Sequence, residues 1–176
     1  MVNENEAKDQ ALRNIAQQMI IAARTAPKGK GADTFVFKIA ERDDIEMLSK
    51  KTKEIGEKCN AGAFLRDAEN ILNASVAVLF GTRIKPLGLK KCGMCGFEDC
   101  GEKDKHKNIP CVFNTGDLGI ALGSAISVAT DHRVDNRVMY TVGQAVLETG
   151  ILGDDIKVAY VVPLTATSKN PFFDRK

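Results

Sequence analysis

Charge of one sign is not in excess in this chain. Its 25 lysines and arginines stand against 23 aspartates and glutamates, a formal net charge of +2 over 176 residues. So close a balance excludes the strong basic field of a dedicated nucleic-acid or anionic-membrane binder. Long hydrophobic runs are missing too. The most apolar stretch, LGIALGSAISVA from Leu118 to Ala129, is hemmed by Asp117 and Asp131, and it falls short of the roughly 20 residues that a bilayer-spanning helix needs. The start, MVNENEAKDQALRN, lacks the charged, then apolar, then small-residue order of a secretory signal, so a cytoplasmic location is expected. Internal repeats, low-complexity tracts and interdomain linkers are absent as well. Residues 1–176 are therefore expected to form a single domain with its own core.

What is present is a concentration of thiols. Four of the five cysteines fall in KKCGMCGFEDCGEKDKHKNIPC, as Cys92, Cys95, Cys100 and Cys111. In a reducing compartment such a cluster reads as metal ligands or redox groups before structural disulfides. Structural zinc sites more often use two separated short-spaced pairs, whereas here one pair precedes two single cysteines. A [4Fe–4S] cubane suits a winding loop that offers three thiolates in quick succession and a fourth from farther along. Gly93, Gly96 and Gly101 beside those cysteines would let the backbone turn around a cluster. Zinc stays open as the alternative metal, and the lysines of the loop, Lys103 among them, read as a solvated surface.

Along the rest of the chain, apolar residues at three- and four-residue steps predict a helix from Glu4 to about Arg24, ended by Ala26-Pro27. TFVFKIA (34–40) predicts a strand, Glu41 to about Cys59 a surface helix, and Ala63 to Leu72 another. SVAVLFGT (75–82) predicts a buried strand. Asn114 to His132 reads as a helix capped by Asn114 or Thr115, followed by a helix ending at Gly150 and a strand over 156–164. Gly116, Gly119, Gly123, Ser124 and Ser127 put small residues at helical spacing, where another helix can come close, in the same chain or in a second copy. Helices outnumber strands without a regular alternation, so an α+β layered domain is expected.

AARTAPKGKGADTFVFKIAERDDIEMLSK resembles the opening of flavin-dependent nitroreductases, where a helix runs into an arginine-containing loop that holds the FMN phosphate. The stretch from Asp117 to Leu152 is similar to the alanine- and glycine-rich helices of that fold. With CGMCGFEDC and PCVF, the whole chain resembles a family of small prokaryotic proteins described as containing a ferredoxin domain. The resemblance implies a nitroreductase-like α+β fold with a cysteine-rich iron–sulfur loop inserted at about 83–113, in a homodimer with FMN at the subunit interface. It implies Arg24, Thr25, Lys28 and Lys30 at the flavin phosphate, joined by Lys169 and Arg175 from the tail. The chain departs from nitroreductases in having no tryptophan and in passing directly from GKGAD into the first strand. The functional expectation is electron transfer through a [4Fe–4S] cluster on Cys92, Cys95, Cys100 and Cys111, with FMN-dependent reduction of a small substrate and a redox partner protein or small molecule as the other reactant. A zinc-stabilised binding module without catalysis is the alternative. Neither nucleic acid nor membrane is an expected partner.

Overall fold

A computed structural model describes residues 1–173. Four strands form one antiparallel sheet in the order β1 (Phe35–Ala40), β2 (Val76–Arg83), β4 (Ile156–Thr165), β3 (Asp135–Asn136). The helices are α1 (Glu4–Thr25), α2 (Arg42–Cys59), α3 (Gly62–Ile71), a short α4 (Cys100–Asp104), α5 (Val112–Asp131) and α6 (Tyr140–Thr149).

Helices cover both faces of the sheet, which explains why β2 reads as an unbroken apolar run. Val76, Val78 and Phe80 point into one core with Leu12, Met19, Leu118 and Ala125 of α1 and α5. Ala77 and Leu79, one residue out of phase, enter a second core with Leu48, Ile71, Val142 and Val146 of α2, α3 and α6. At roughly 25 cal/mol per Å² of apolar area removed from water, these two cores are the main stabilising force.

Local chemistry sets the boundaries. Asn3 and Glu6 form a capping box at the start of α1, and Ala26, forced to ψ 141 ahead of Pro27, ends it. Gly150 closes α6 in the left-handed region at φ 65. The start of α5 differs from expectation. Cys111 is its N-cap and makes no side-chain capping bond, because the Asn114 side chain is taken by a tertiary contact, accepting a hydrogen bond from the Lys85 amide at 2.8 Å.

By length and composition α5 is apolar enough to cross a membrane, and no other helix among the described residues is. Within the fold it is a core helix, with Asn114 and Asp117 both buried. The segment between β2 and α5, expected as an inserted iron–sulfur loop, instead holds only α4 as regular structure. No metal-holding group of three or more His, Cys, Asp or Glu occurs among the described residues. The layered α+β fold stands, and the iron–sulfur loop does not.

Candidate flavin site and the cysteine loop

Where α1 ends, the chain makes a tight turn into β1. Gly31 N–H donates to Lys28 O and Ala32 N–H to Gly29 O, each at 3.0 Å, with Lys30 and Gly31 both left-handed at φ 54 and φ 66. Gly29 N–H donates to the Asp117 carboxylate of α5 at 2.9 Å. A side chain at Gly29 would collide with Leu87, whose Cδ1 lies 2.4 Å from the place a Cβ would take. The turn is thus clasped between α5 and the segment leaving β2, and a larger residue at Gly29 would require the Leu87 side chain to move.

The expected cations gather here. Arg24 pairs with Asp33 at 2.5 Å and lies over the Phe37 ring, 4.6 Å from its centroid. Lys28 Nζ donates to the carbonyls of Arg24 at 2.5 Å and Ala26 at 3.0 Å and lies 5.2 Å from the Phe35 ring centroid. Lys30 Nζ donates to Leu87 O at 3.3 Å. Thr25 turns back into α1, its hydroxyl donating to Ile21 O at 3.0 Å. One guanidinium and two ammonium groups at a single turn form a donor set that suits a phosphate dianion. Asp33, Asp117, Phe35, Phe37 and Leu87 were not singled out from the sequence. A carboxylate within an otherwise apolar helix was the available signal for Asp117.

Partial burial opposes ionisation of Asp33, but hydrogen bonds from Arg24 and the Phe35 N–H, with the charges of Arg24 and Lys28, outweigh it and hold the carboxyl below its usual range. A folded pKa below the unfolded value adds stability above the unfolded pKa of about 3.9, and that stability is lost as pH falls through the folded value. Melting temperature measured from pH 6 down to pH 2 should therefore converge between wild type and Asp33→Asn at the acid end, with wild type higher at pH 6.

Lys169 lies elsewhere. Thr167 donates through its N–H and hydroxyl to Asp135 at 3.0 and 3.1 Å, while Phe172 O accepts from Asn70 and Arg137. Those anchors hold Lys169 at the β3 end of β4, whereas the Arg24 turn meets the sheet where β1 begins and β4 starts. A strand of that length spans roughly 30 Å, so one chain does not bring Lys169 to the turn. Arg175 is outside the described residues.

The cysteines do not make a metal centre. Cys92, Cys95 and Cys100 are half-buried, Cys111 is buried and Cys59 is exposed, all as free thiols. Gly93 and Gly96 do take positive φ and close a turn through Gly96 N–H to Gly93 O at 2.9 Å. Cys100, however, opens α4 while Cys111 caps α5, and two turns, Lys103 O to His106 N and His106 O to Ile109 N, intervene. Among the described residues no three His, Cys, Asp or Glu side chains of the loop converge on a point that could hold a metal, and the loop's buried charged side chain is a lysine, Lys103. This removes the geometric basis for both the iron–sulfur and the zinc readings.

Residues 107–175 match the family described as "Uncharacterized protein containing a ferredoxin domain (DUF2148)". A protein of Archaeoglobus fulgidus described as "Uncharacterized protein" is 35% identical over 182 residues, spanning 99% of this chain and 97% of that one. The chain belongs to this family of ferredoxin-domain proteins. Its fold is nitroreductase-like. A nitroreductase with bound FMN from Bacteroides fragilis superposes with a TM-score of 0.62 at 14% identity, over 99% of this chain and 94% of that one. The nitroreductase CinD from Lactococcus lactis, in complex with nicotinic acid, gives 0.61 at 13% identity over 96% and 81%. A BluB-like flavoprotein from Clostridium difficile gives 0.58 at 19% identity over 89% and 81%. For this family member the likeness establishes the nitroreductase-like fold.

Proposed function

We propose that this protein is an FMN-dependent oxidoreductase acting on a small substrate. The observation that carries the reading is the Arg24–Lys28–Lys30 turn, set in a fold whose solved relatives include an FMN-bound nitroreductase. Arg24, Lys28 and Lys30 hold the charge of the flavin phosphate, and Gly29 keeps the turn tight against Leu87. With flavin bound, the chemistry supplied is hydride transfer: two electrons and a proton pass from an external reductant to a small acceptor. Asp33 is the internal counterion of Arg24 and competes with the phosphate for it, so Asp33→Ala should tighten FMN binding while leaving riboflavin binding unchanged. Equal affinities for FMN and riboflavin in a fluorescence titration of wild type would refute the reading.

The working unit is a homodimer, in which a partner's tail supplies the cation that Lys169 of the same chain does not. Support comes from α5. A Cβ built at Gly116, Gly119 or Gly123 meets no heavy atom within 4 Å, Ile120 beside them is 49% exposed, and of the small residues on α5 it is Ser124 that reaches α1, donating to Ala22 O at 3.0 Å. Leucine at position 119 raises helix propensity by roughly 1 kcal/mol, so Gly119→Leu should stabilise a monomer and disrupt a dimer built on this face. Light scattering of the variant at one chain mass, against two for wild type, is the expected result.

A further inference from the structure

We propose that Lys103 anchors a second anion site, beneath the cysteine loop, that takes a phosphate-type oxyanion. Lys103 lies on α4, the five-residue helix at the centre of the loop, and is 1% exposed. Its Nζ has no hydrogen-bond partner, the sole buried side-chain nitrogen or oxygen in that condition among the described residues. An ammonium removed from water without a partner is among the most unfavourable groups a fold can hold.

None of the neighbouring carboxylates hydrogen-bonds it; Asp104, held below the usual carboxylate range first by its hydrogen bond from Lys107, meets the Lys103 charge only through space. Glu102 pairs with Lys105 at 2.6 Å and Asp104 with Lys107 at 2.7 Å, both at the surface. The Asp99 side chain accepts from the Glu102 N–H at 2.8 Å as the cap of α4. The acids of the helix therefore serve outward-facing lysines and the helix cap, and the inward-facing lysine is left for an anion from outside the chain. Phe97 and His106, on either side of α4, stack with centroids 4.9 Å apart and tie together the segments that flank this helix. An ammonium is a compact point charge suited to phosphate oxygens.

The test is a thermal-unfolding series on the full chain, prepared free of phosphate and sulfate, with inorganic phosphate as the probe and Lys103→Met and Lys103→Arg as variants. Without anion, Lys103→Met should melt above wild type, because it removes an unpaired buried charge. Added phosphate should raise the melting temperature of wild type more than that of Lys103→Met, whose remaining response comes from the Arg24 turn, and retain the full response in Lys103→Arg, with phosphate affinity of the Lys103 site at least about tenfold weaker in the methionine variant. The proposal is overturned if Lys103→Met melts below wild type in anion-free buffer, or if phosphate shifts both equally. A parallel FMN titration identifies the source of the phosphoryl group. Loss of FMN affinity in Lys103→Met assigns it to the flavin; loss for inorganic phosphate alone assigns it to a free oxyanion, and either carries the proposal. Arg24→Ala separates this site from the flavin reading, since it should weaken FMN while leaving intact the part of the phosphate response that Lys103→Met removes.

Discussion

Arg24→Ala is expected to weaken FMN binding about tenfold to a hundredfold and to leave riboflavin binding unchanged. A charge-assisted hydrogen bond to phosphate contributes roughly 1.5–3 kcal/mol, and each 1.4 kcal/mol is a factor of ten. The substitution also frees Asp33, whose carboxylate lies 2.5 Å from the guanidinium and would then oppose an incoming dianion, pushing the loss towards the upper end. Stability should change little, since half-exposed ion pairs contribute roughly 0–1 kcal/mol and the stacking on Phe37 adds a similar amount. Arg24→Lys should recover only part of the affinity, because an ammonium lacks the planar two-pronged fork. Paired fluorescence titrations with FMN and riboflavin, next to a melting curve, separate these effects. Parallel losses for both ligands would mean that Arg24 acts on the ring system or on folding, not on the phosphate.

Gly143→Ala should lower stability by about 3 kcal/mol, although local propensity points the other way. In an isolated helix, alanine in place of glycine is favourable by roughly 1 kcal/mol. Here α6 lies directly on β4, and a Cβ at Gly143 would meet Ala159 O at 2.1 Å and the Ala159 carbonyl carbon at 2.7 Å. Those are main-chain atoms of a central strand, so no side-chain rotation relieves the contact and α6 must lift off the sheet. Overpacking of this kind typically costs about 1–3 kcal/mol, and more where backbone is involved. For a chain of this length that corresponds to a fall in melting temperature of roughly 6–12 °C. An unchanged or higher melting temperature would show that α6 and β4 are not packed this closely.

Legibility in the sequence followed the range of the interactions. Every long helix and strand left a local mark: the period of α1, the pre-proline stop at Ala26, the two-faced apolar run of β2, the glycine that ends α6. What was missed is short or depends on distant partners. β3 is two residues long and owes its existence to β4. The register of α5 was misread because Asn114, a good capping residue, is occupied by Lys85, 29 positions earlier. Asp67, which has no local mark in the sequence, is 2% exposed and accepts from Thr141 at 2.6 Å while pairing with Arg66 and Arg137.

The cation turn of the candidate site was legible through its resemblance to flavin enzymes. Its counterion Asp33 and its clasp by Asp117 were not, because contacts of that kind appear only once α5 is packed. Spacing misled most in the cysteine loop. Short intervals between thiols say that they are near one another along the chain, while α4 and the turns after it decide where the chain goes. Lys103 sits among exposed lysines in the sequence, and nothing local marks it as the one that turns inward.

The most direct measurement is an equilibrium titration of the wild-type chain with FMN, followed by quenching of flavin fluorescence and repeated with riboflavin under identical conditions. Saturable binding of one FMN per chain, with riboflavin weaker by at least about tenfold, is the predicted result, since riboflavin lacks the phosphate proposed to meet Arg24, Lys28 and Lys30. Indistinguishable affinities for the two flavins, or no saturable binding of either, would contradict it.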